Sequence, residues 1–316
     1  MNVKETIQKI ANILLINSDD VSNDGLLNGN MGLAIFFYNY SKYTQIIEYK
    51  NIADDLIDKI IKNLNVYMGF GMGDGLTGIC LGIRYLKENN FITGDIEEAL
   101  KEVDKNIFKY SDINDISKNP LVSEPGIYLS YLLKNEKNLL KYNDIILSRL
   151  KIYDKNFHKI IKMKNPLEFI NSILFLFLKI RNINNGCYFS YINKTILKIL
   201  SYINSFEDLS VFKYSDIKTM TIFFTELSNL YPKMPIKAKL QSLFKESNTR
   251  KATQNDLISY LWQNLLYFPI EKVHIDLDEV NDYIDEVFVL PFYETNFSIQ
   301  NGLSSIGLSL MKQEKN

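Results

Sequence analysis

Cysteine and histidine are scarce: the chain has two of each, Cys80 and Cys187, His158 and His274. Two cysteines provide no disulfide framework, and the four side chains are scattered, without the short ligand spacing of a metal site. An excess of charge of one sign is also missing. The net charge of −1 supplies no field to recruit nucleic acid or an anionic membrane, and the locally basic helices have acids interleaved, which reads as solvated faces. Long hydrophobic runs are absent too. The longest, Ile173-Leu174-Phe175-Leu176-Phe177-Leu178, falls well short of a membrane span. The N-terminal Met1-Asn2-Val3-Lys4-Glu5-Thr6 is charged where a signal peptide turns apolar. A cytoplasmic protein with no nucleic-acid partner and no membrane span is expected. Linker-like composition occurs nowhere, so a single domain over residues 1–316 is expected.

What the chain does have is a repeat. Its clearest copy runs from Gly69 to Ile83: a glycine-rich turn, Gly73-Asp74-Gly75, a second glycine at Gly78, then an apolar run that reads as a buried helix. Glycine suits such a turn because it accepts positive φ and lets another backbone approach closely. The cassette recurs as Asn28-Gly29-Asn30-Met31-Gly32 near the N-terminus and as Asn301-Gly302-Leu303-Ser304-Ser305 near the C-terminus. With Gly32, Gly78, Gly126, Ser172, Lys218, Ser259 and Ser305 as the second small position or its equivalent, successive steps are 46, 48, 46, 46, 41 and 46 residues. Seven cassettes fill the chain.

A period of this size signals a repeat architecture with room for two helices per unit. One helix of each unit follows the cassette and is nearly all apolar. The other is amphipathic, as in Ile52-Ala53-Asp54-Asp55-Leu56-Ile57-Asp58-Lys59-Ile60-Ile61-Lys62. An all-apolar helix must be covered on every side, whereas an amphipathic one can show water a face. The arrangement that satisfies both is an all-α α/α toroid of about seven helical hairpins, apolar ring inside and amphipathic ring outside. Outer helices are predicted over Val3 to Leu15, up to about Leu64, Ile96 to Tyr110 and Tyr188 to Tyr202, and an inner one over Leu33 to Tyr40. Asn119-Pro120 and Asn165-Pro166 break the chain before cassettes three and four, because the residue before proline leaves the α region.

Serial glycine-small-glycine cassettes heading inner helices, seven to a chain, resemble the lanthionine synthetase C-like family, the lanthionine cyclases that close thioether rings in ribosomally made peptides. The resemblance is carried by Asp74 to Gly82, Asn301 to Leu308 and Asn28 to Phe37. It implies a zinc ion held by two cysteines and a histidine at the heads of cassettes five and six. Here the positions that match are Phe212-Lys213-Tyr214-Ser215 and Gln254-Asn255-Asp256. Lysine, glutamine and asparagine are not customary zinc ligands, so no cofactor is expected although the family's is zinc. Cys80, inside an apolar helix, reads as a small core residue.

In a toroid the cassette heads share one mouth. Candidate catalytic residues there are Asp74, Glu124, Lys213 and Tyr214, and candidate binding residues are Asn28, Gly29, Gly75, Asn255, Asp256 and Asn301. Asp74 and Glu124 could pair for acid–base work, and Lys213 could place a cation where the metal's charge stood. The plainer reading is that Asp74 and Asp256 cap their own helices and that Lys213 is solvated. The expected function is a zinc-free lanthionine cyclase-like scaffold, a pseudoenzyme of lantibiotic-type peptide biosynthesis, binding a precursor peptide or a peptide-modifying enzyme. The alternative is an active cyclase or a metal-free lyase or hydrolase.

Overall fold

The computed structural model describes residues 2–64, 68–111, 123–133, 136–180, 186–232, 275–289 and 302–314, with single positions and short pieces between 236 and 265 and at 299. All regular structure among the described residues is helical, with no strand, so the all-α expectation is met. By its contacts the chain divides into two compact units, residues 1–104 with 253–316, and residues 105–252.

The first unit opens with α1 (Val3–Ile16), which starts at a capping box. The Asn2 side chain accepts from the Glu5 N–H at 2.9 Å and the Glu5 carboxylate accepts from the Asn2 N–H at 3.0 Å, filling donors that a helix start leaves open. Next come α2 (Asn30–Thr44), α3 (Ile47–Asn63), α4 (Leu76–Glu88) and the start of α5 (Ile96–Ser111). The C-terminal helices α12 (Leu277–Val289) and α13 (Leu303–Glu314) return to this unit. Helix α13 packs on α1 and α2. Helix α12 joins α1 through Thr6 to Asn281 at 3.3 Å and Lys9 to Asp285 at 2.5 Å. The seventh cassette therefore abuts the first.

The second unit holds the rest of α5, then α6 (Ser123–Leu132), α7 (Glu136–Lys141), α8 (Asn143–Ile160), α9 (Pro166–Lys179), α10 (Gly186–Asn204) and α11 (Tyr214–Leu230). Helix α9 is the apolar helix of cassette four. Its residues from Leu167 to Leu178, Glu168 apart, are all buried, and it packs against both α6 and α11. Rings link the three helices: Phe175 lies 5.7 Å from Tyr131 and 6.0 Å from Phe223. Each fully buried Leu or Phe contributes about 1.5–3 kcal/mol, so this stack is the unit's core. Helices α8 and α10 lie side by side outside it.

The layering follows the predicted division into apolar and amphipathic helices. Helix α3 buries Ala53, Leu56 and Ile60 and shows water its other faces, while α2 buries all of Asn30–Tyr38. Two helix starts are informative, and the first shifts from expectation. Helix α2 begins at Asn30 rather than Leu33, because the polar Asn30 is itself buried and hydrogen-bonded. Helix α6 begins at Ser123 and takes in Pro125, which a first turn tolerates because its N–H has no intrahelical acceptor there. The break at Asn165-Pro166 is as expected, with Asn165 at the N-cap and Pro166 opening α9.

Candidate functional site

The heads of cassettes one and two are built alike, residue for residue at an offset of 46. The Asn30 N–H donates to the Asn23 carbonyl at 2.7 Å, and the Leu76 N–H to the Gly69 carbonyl at 2.9 Å. Gly29 and Gly75 are the N-caps, both buried and both extended, with φ of −149° and −132°. Of the two reasons read from sequence, positive φ does not apply at Gly29 and Gly75, and the close approach of another backbone does. A Cβ on Gly29 would sit 2.3 Å from the Asn23 carbonyl oxygen, and one on Gly75 would sit 2.1 Å from that of Gly69. At the second small position the crowding repeats: Gly32 faces the Leu26 carbonyl oxygen at 2.6 Å and Gly78 that of Met72 at 2.0 Å. Where serine stands instead, it turns its hydroxyl inward, Ser172 donating to the Phe169 carbonyl and Ser305 to that of Gly302.

The two heads are also joined to each other. Gly25 lies directly against the backbone of Gly73 and Asp74, and the Asn28 N–H donates to the Gly73 carbonyl at 3.3 Å. The Asn28 side-chain amide donates to the Asp74 carboxylate at 3.0 Å. Asp74 does not cap its own helix, since the N-cap is Gly75 and no side chain caps α4. Its carboxylate is exposed and holds the neighbouring cassette instead. About three turns further along, the pairing recurs between helices α2 and α4: the Asn39 amide donates to the Tyr85 hydroxyl at 3.1 Å, again 46 residues on.

Asp24 was not singled out by sequence. It is buried, at 5% exposure, and accepts from the Asn30 amide at 2.7 Å and the Asn63 amide at 2.9 Å. It thus ties the first cassette loop to the start of α2 and the end of α3. Its signal was an aspartate inside a glycine turn, which has no counterpart at the same place in cassette two.

In the second unit, Lys213 is the N-cap residue of α11, exposed and making no cap bond. Tyr214 is buried, and its hydroxyl accepts from the Lys218 ammonium of the next turn at 3.5 Å. Asp216, also buried, offers its backbone carbonyl to the Asn171 amide at 3.0 Å. Glu124 stands in the first turn of α6, and its side chain is outside the described residues. So are Gln254, Asn255, His274, Asn301 and the side chain of Cys187. Asp256 closes a capping box with Thr253: its carboxylate accepts from the Thr253 N–H at 3.0 Å, and its own N–H donates to the Thr253 hydroxyl at 3.2 Å. That is the capping role read for it in sequence.

A further buried group escaped the sequence reading. Arg149 is fully buried in α8, one turn from Tyr153, whose hydroxyl is the atom that a Cβ on Gly126 would strike at 2.3 Å. Burial pushes the Tyr153 phenol up to about 12, with the Arg149 charge opposing. The only sequence signal was an arginine inside the apolar stripe of Ile146, Leu150, Tyr153 and Phe157.

These donors do not fit a zinc centre. The ammonium of Lys213 offers no lone pair while protonated, Cys80 is buried within α4, and among the described residues no three His, Cys, Asp or Glu side chains group to hold a metal ion. Among the described residues, too, no helix is long and apolar enough to cross a membrane.

The lanthionine synthetase C-like family model matches residues 20–172, from the loop before cassette one to the second small position of cassette four. No curated protein and no solved structure matches the chain. Over residues 20–172, just under half of its length, the chain is similar to the lanthionine synthetase C-like family.

Proposed function

We propose that the protein serves the modification of a ribosomally synthesised peptide as a lanthionine cyclase-like scaffold, holding the peptide or its modifying enzyme at the cassette heads without zinc chemistry. The whole repeat is read as one cytoplasmic domain. The observation that carries this reading is a contrast. Cassettes one and two keep a hydrogen-bonded framework that presents the exposed Asp74 carboxylate, yet Lys213, which is exposed, is the residue that the sequence resemblance sets against the family's metal-binding cysteine of cassette five. A peptide has amides and hydroxyls for the Asp74 carboxylate to accept from, and charge-assisted hydrogen bonds of this kind are the stronger ones.

Elemental analysis of the purified protein tests it. The expected result is no stoichiometric metal. About one zinc per chain, lost in Cys187→Ala or His274→Ala, would overturn the reading in favour of a working cyclase. A thiol-consumption assay with a short peptide carrying one cysteine and one dehydroalanine is the second arm. Closure of the thioether uses up the thiol, so the expected result is no loss of thiol above the uncatalysed rate. Turnover without metal that disappears in Asp74→Ala and Lys213→Ala would instead favour a metal-free enzyme using those exposed side chains.

A further inference from the structure

Residues 143–204 carry ten lysines and arginines against three acids, in a chain whose net charge is −1. The second unit gathers part of this excess on one face. Helices α8 and α10 run side by side in a register fixed by two contacts. The Tyr188 hydroxyl donates to the Asn143 side chain, and the Lys198 ammonium donates to the Asp154 carboxylate at 2.5 Å and to its carbonyl at 2.8 Å. Lys151 and Lys155 on α8, and Lys194 and Lys198 on α10, are spaced one helical turn apart along their helices, and all four are exposed. Beside Lys155 and Lys198 the surface is concave: an open groove of about 450 Å³, lined by Lys155, His158, Lys198, Asp154, Phe157 and Tyr202.

We propose that this groove docks an acidic segment of polypeptide, with one apolar or aromatic side chain set against Phe157 and Tyr202 and flanking carboxylates meeting Lys155 and Lys198. Charge complementarity selects the sign of the partner, and the form of the groove selects its class. The apolar atoms are recessed, so they do not insert into a bilayer, which takes protruding apolar side chains. Asp154 lies among the lysines and opposes the unbroken phosphate row of a nucleic acid. A polypeptide can place its carboxylates at the lysines and a neutral residue beside Asp154. The groove belongs wholly to the second unit and does not depend on the cassette-head reading.

Fluorescence anisotropy on the full chain tests the proposal, using a short labelled peptide that alternates aspartate or glutamate with leucine and phenylalanine. Its counterpart has asparagine and glutamine in place of the acids. The acidic peptide is expected to bind at least about tenfold more tightly, a difference that the doubly substituted Lys155→Glu, Lys198→Glu chain abolishes. Added salt should weaken the acidic peptide selectively. Equal binding of the two peptides, or binding unchanged in the double variant, overturns the proposal. So does tighter binding of a single-stranded RNA oligonucleotide or of phosphatidylserine vesicles than of the acidic peptide. Lys198→Glu also removes the ion pair with Asp154, so thermal melting first checks that the variant folds as the parent does. If it does not, the Lys155→Gln, Lys198→Gln pair replaces it, with a loss of at least about threefold expected.

Discussion

The side-chain amide of Asn28 donates to the Asp74 carboxylate at 3.0 Å across 46 residues of sequence, one repeat period. A contact that bridges equivalent points of successive cassettes couples them, and it does so at the surface. A double-mutant cycle of Asn28→Ala and Asp74→Ala should therefore show a real but small coupling in chemical denaturation, below about 1 kcal/mol. A coupling near zero would show that the backbone contact of Asn28 with Gly73 alone sets the register.

The cassette glycines separate steric need from backbone freedom. Gly78→Ala places a methyl 2.0 Å from the Met72 carbonyl oxygen and 2.9 Å from Leu26, and neither neighbour is the loose end of a flexible side chain. A loss of about 1–3 kcal/mol or more is expected by denaturant unfolding. Gly69 has nothing within 4 Å of its Cβ position, so Gly69→Ala should stay within about 0.5 kcal/mol of the parent. Equal effects at the two sites would contradict the cassette geometry.

Arg84 on α4 reaches Asp104 on α5 through Nη2, at 3.1 Å and 2.9 Å to the two carboxylate oxygens. Their side chains are 6% and 9% exposed. A buried pair adds little over an apolar replacement, but removing Asp104 takes the two-oxygen partner from the buried Arg84 and leaves it the exposed Glu97 at 3.4 Å. Asp104→Ala should therefore destabilise the chain by less than the roughly 3–5 kcal/mol of a wholly unpaired buried charge, and the double change Arg84→Met, Asp104→Leu by less again. Thermal unfolding of the three chains checks the order.

Buried phenols predict a limit on the alkaline side. Burial raises Tyr38, whose hydroxyl also donates to Asp54 at 2.5 Å, and pushes Tyr40 and Tyr153 up to about 12. Between the unfolded value near 10 and the folded one, the native chain binds more protons than the unfolded chain, so stability falls as pH rises. Stability should be level in this respect below about pH 10 and decline between about 10 and 12, by up to about 3 kcal/mol for Tyr153. In Tyr153→Phe the decline should be shallower. An unchanged slope would mean that Tyr153 ionises in the native state as it does in the unfolded one.

Much of the fold was legible because it is periodic. The spacing of Gly32 and Gly78 gave the repeat length, and the hydrogen bonds of the two cassette heads recur at that same interval. The outer helix at Val3–Ile16 and the proline start of α9 follow from patterning and from the loss of the proline N–H, both local effects. The candidate site was less legible. Asp74 reads in sequence as a helix cap, and only the approach of Gly25 and Asn28 from the previous cassette shows that it serves a neighbour. Asp24 in a glycine turn and Arg149 in an apolar stripe gave a local signal of position but none of partner, because their burial depends on elements far away in sequence.

The sequence by itself determined the helical class, the repeat and which helices must be covered, because these follow from the spacing of apolar side chains along one chain. Only the tertiary structure decided which backbone atoms the cassette glycines admit, what Asp74 holds and which lysines of α8 and α10 line one groove. Each of those depends on what a different segment places within a few ångströms, and no local pattern records it.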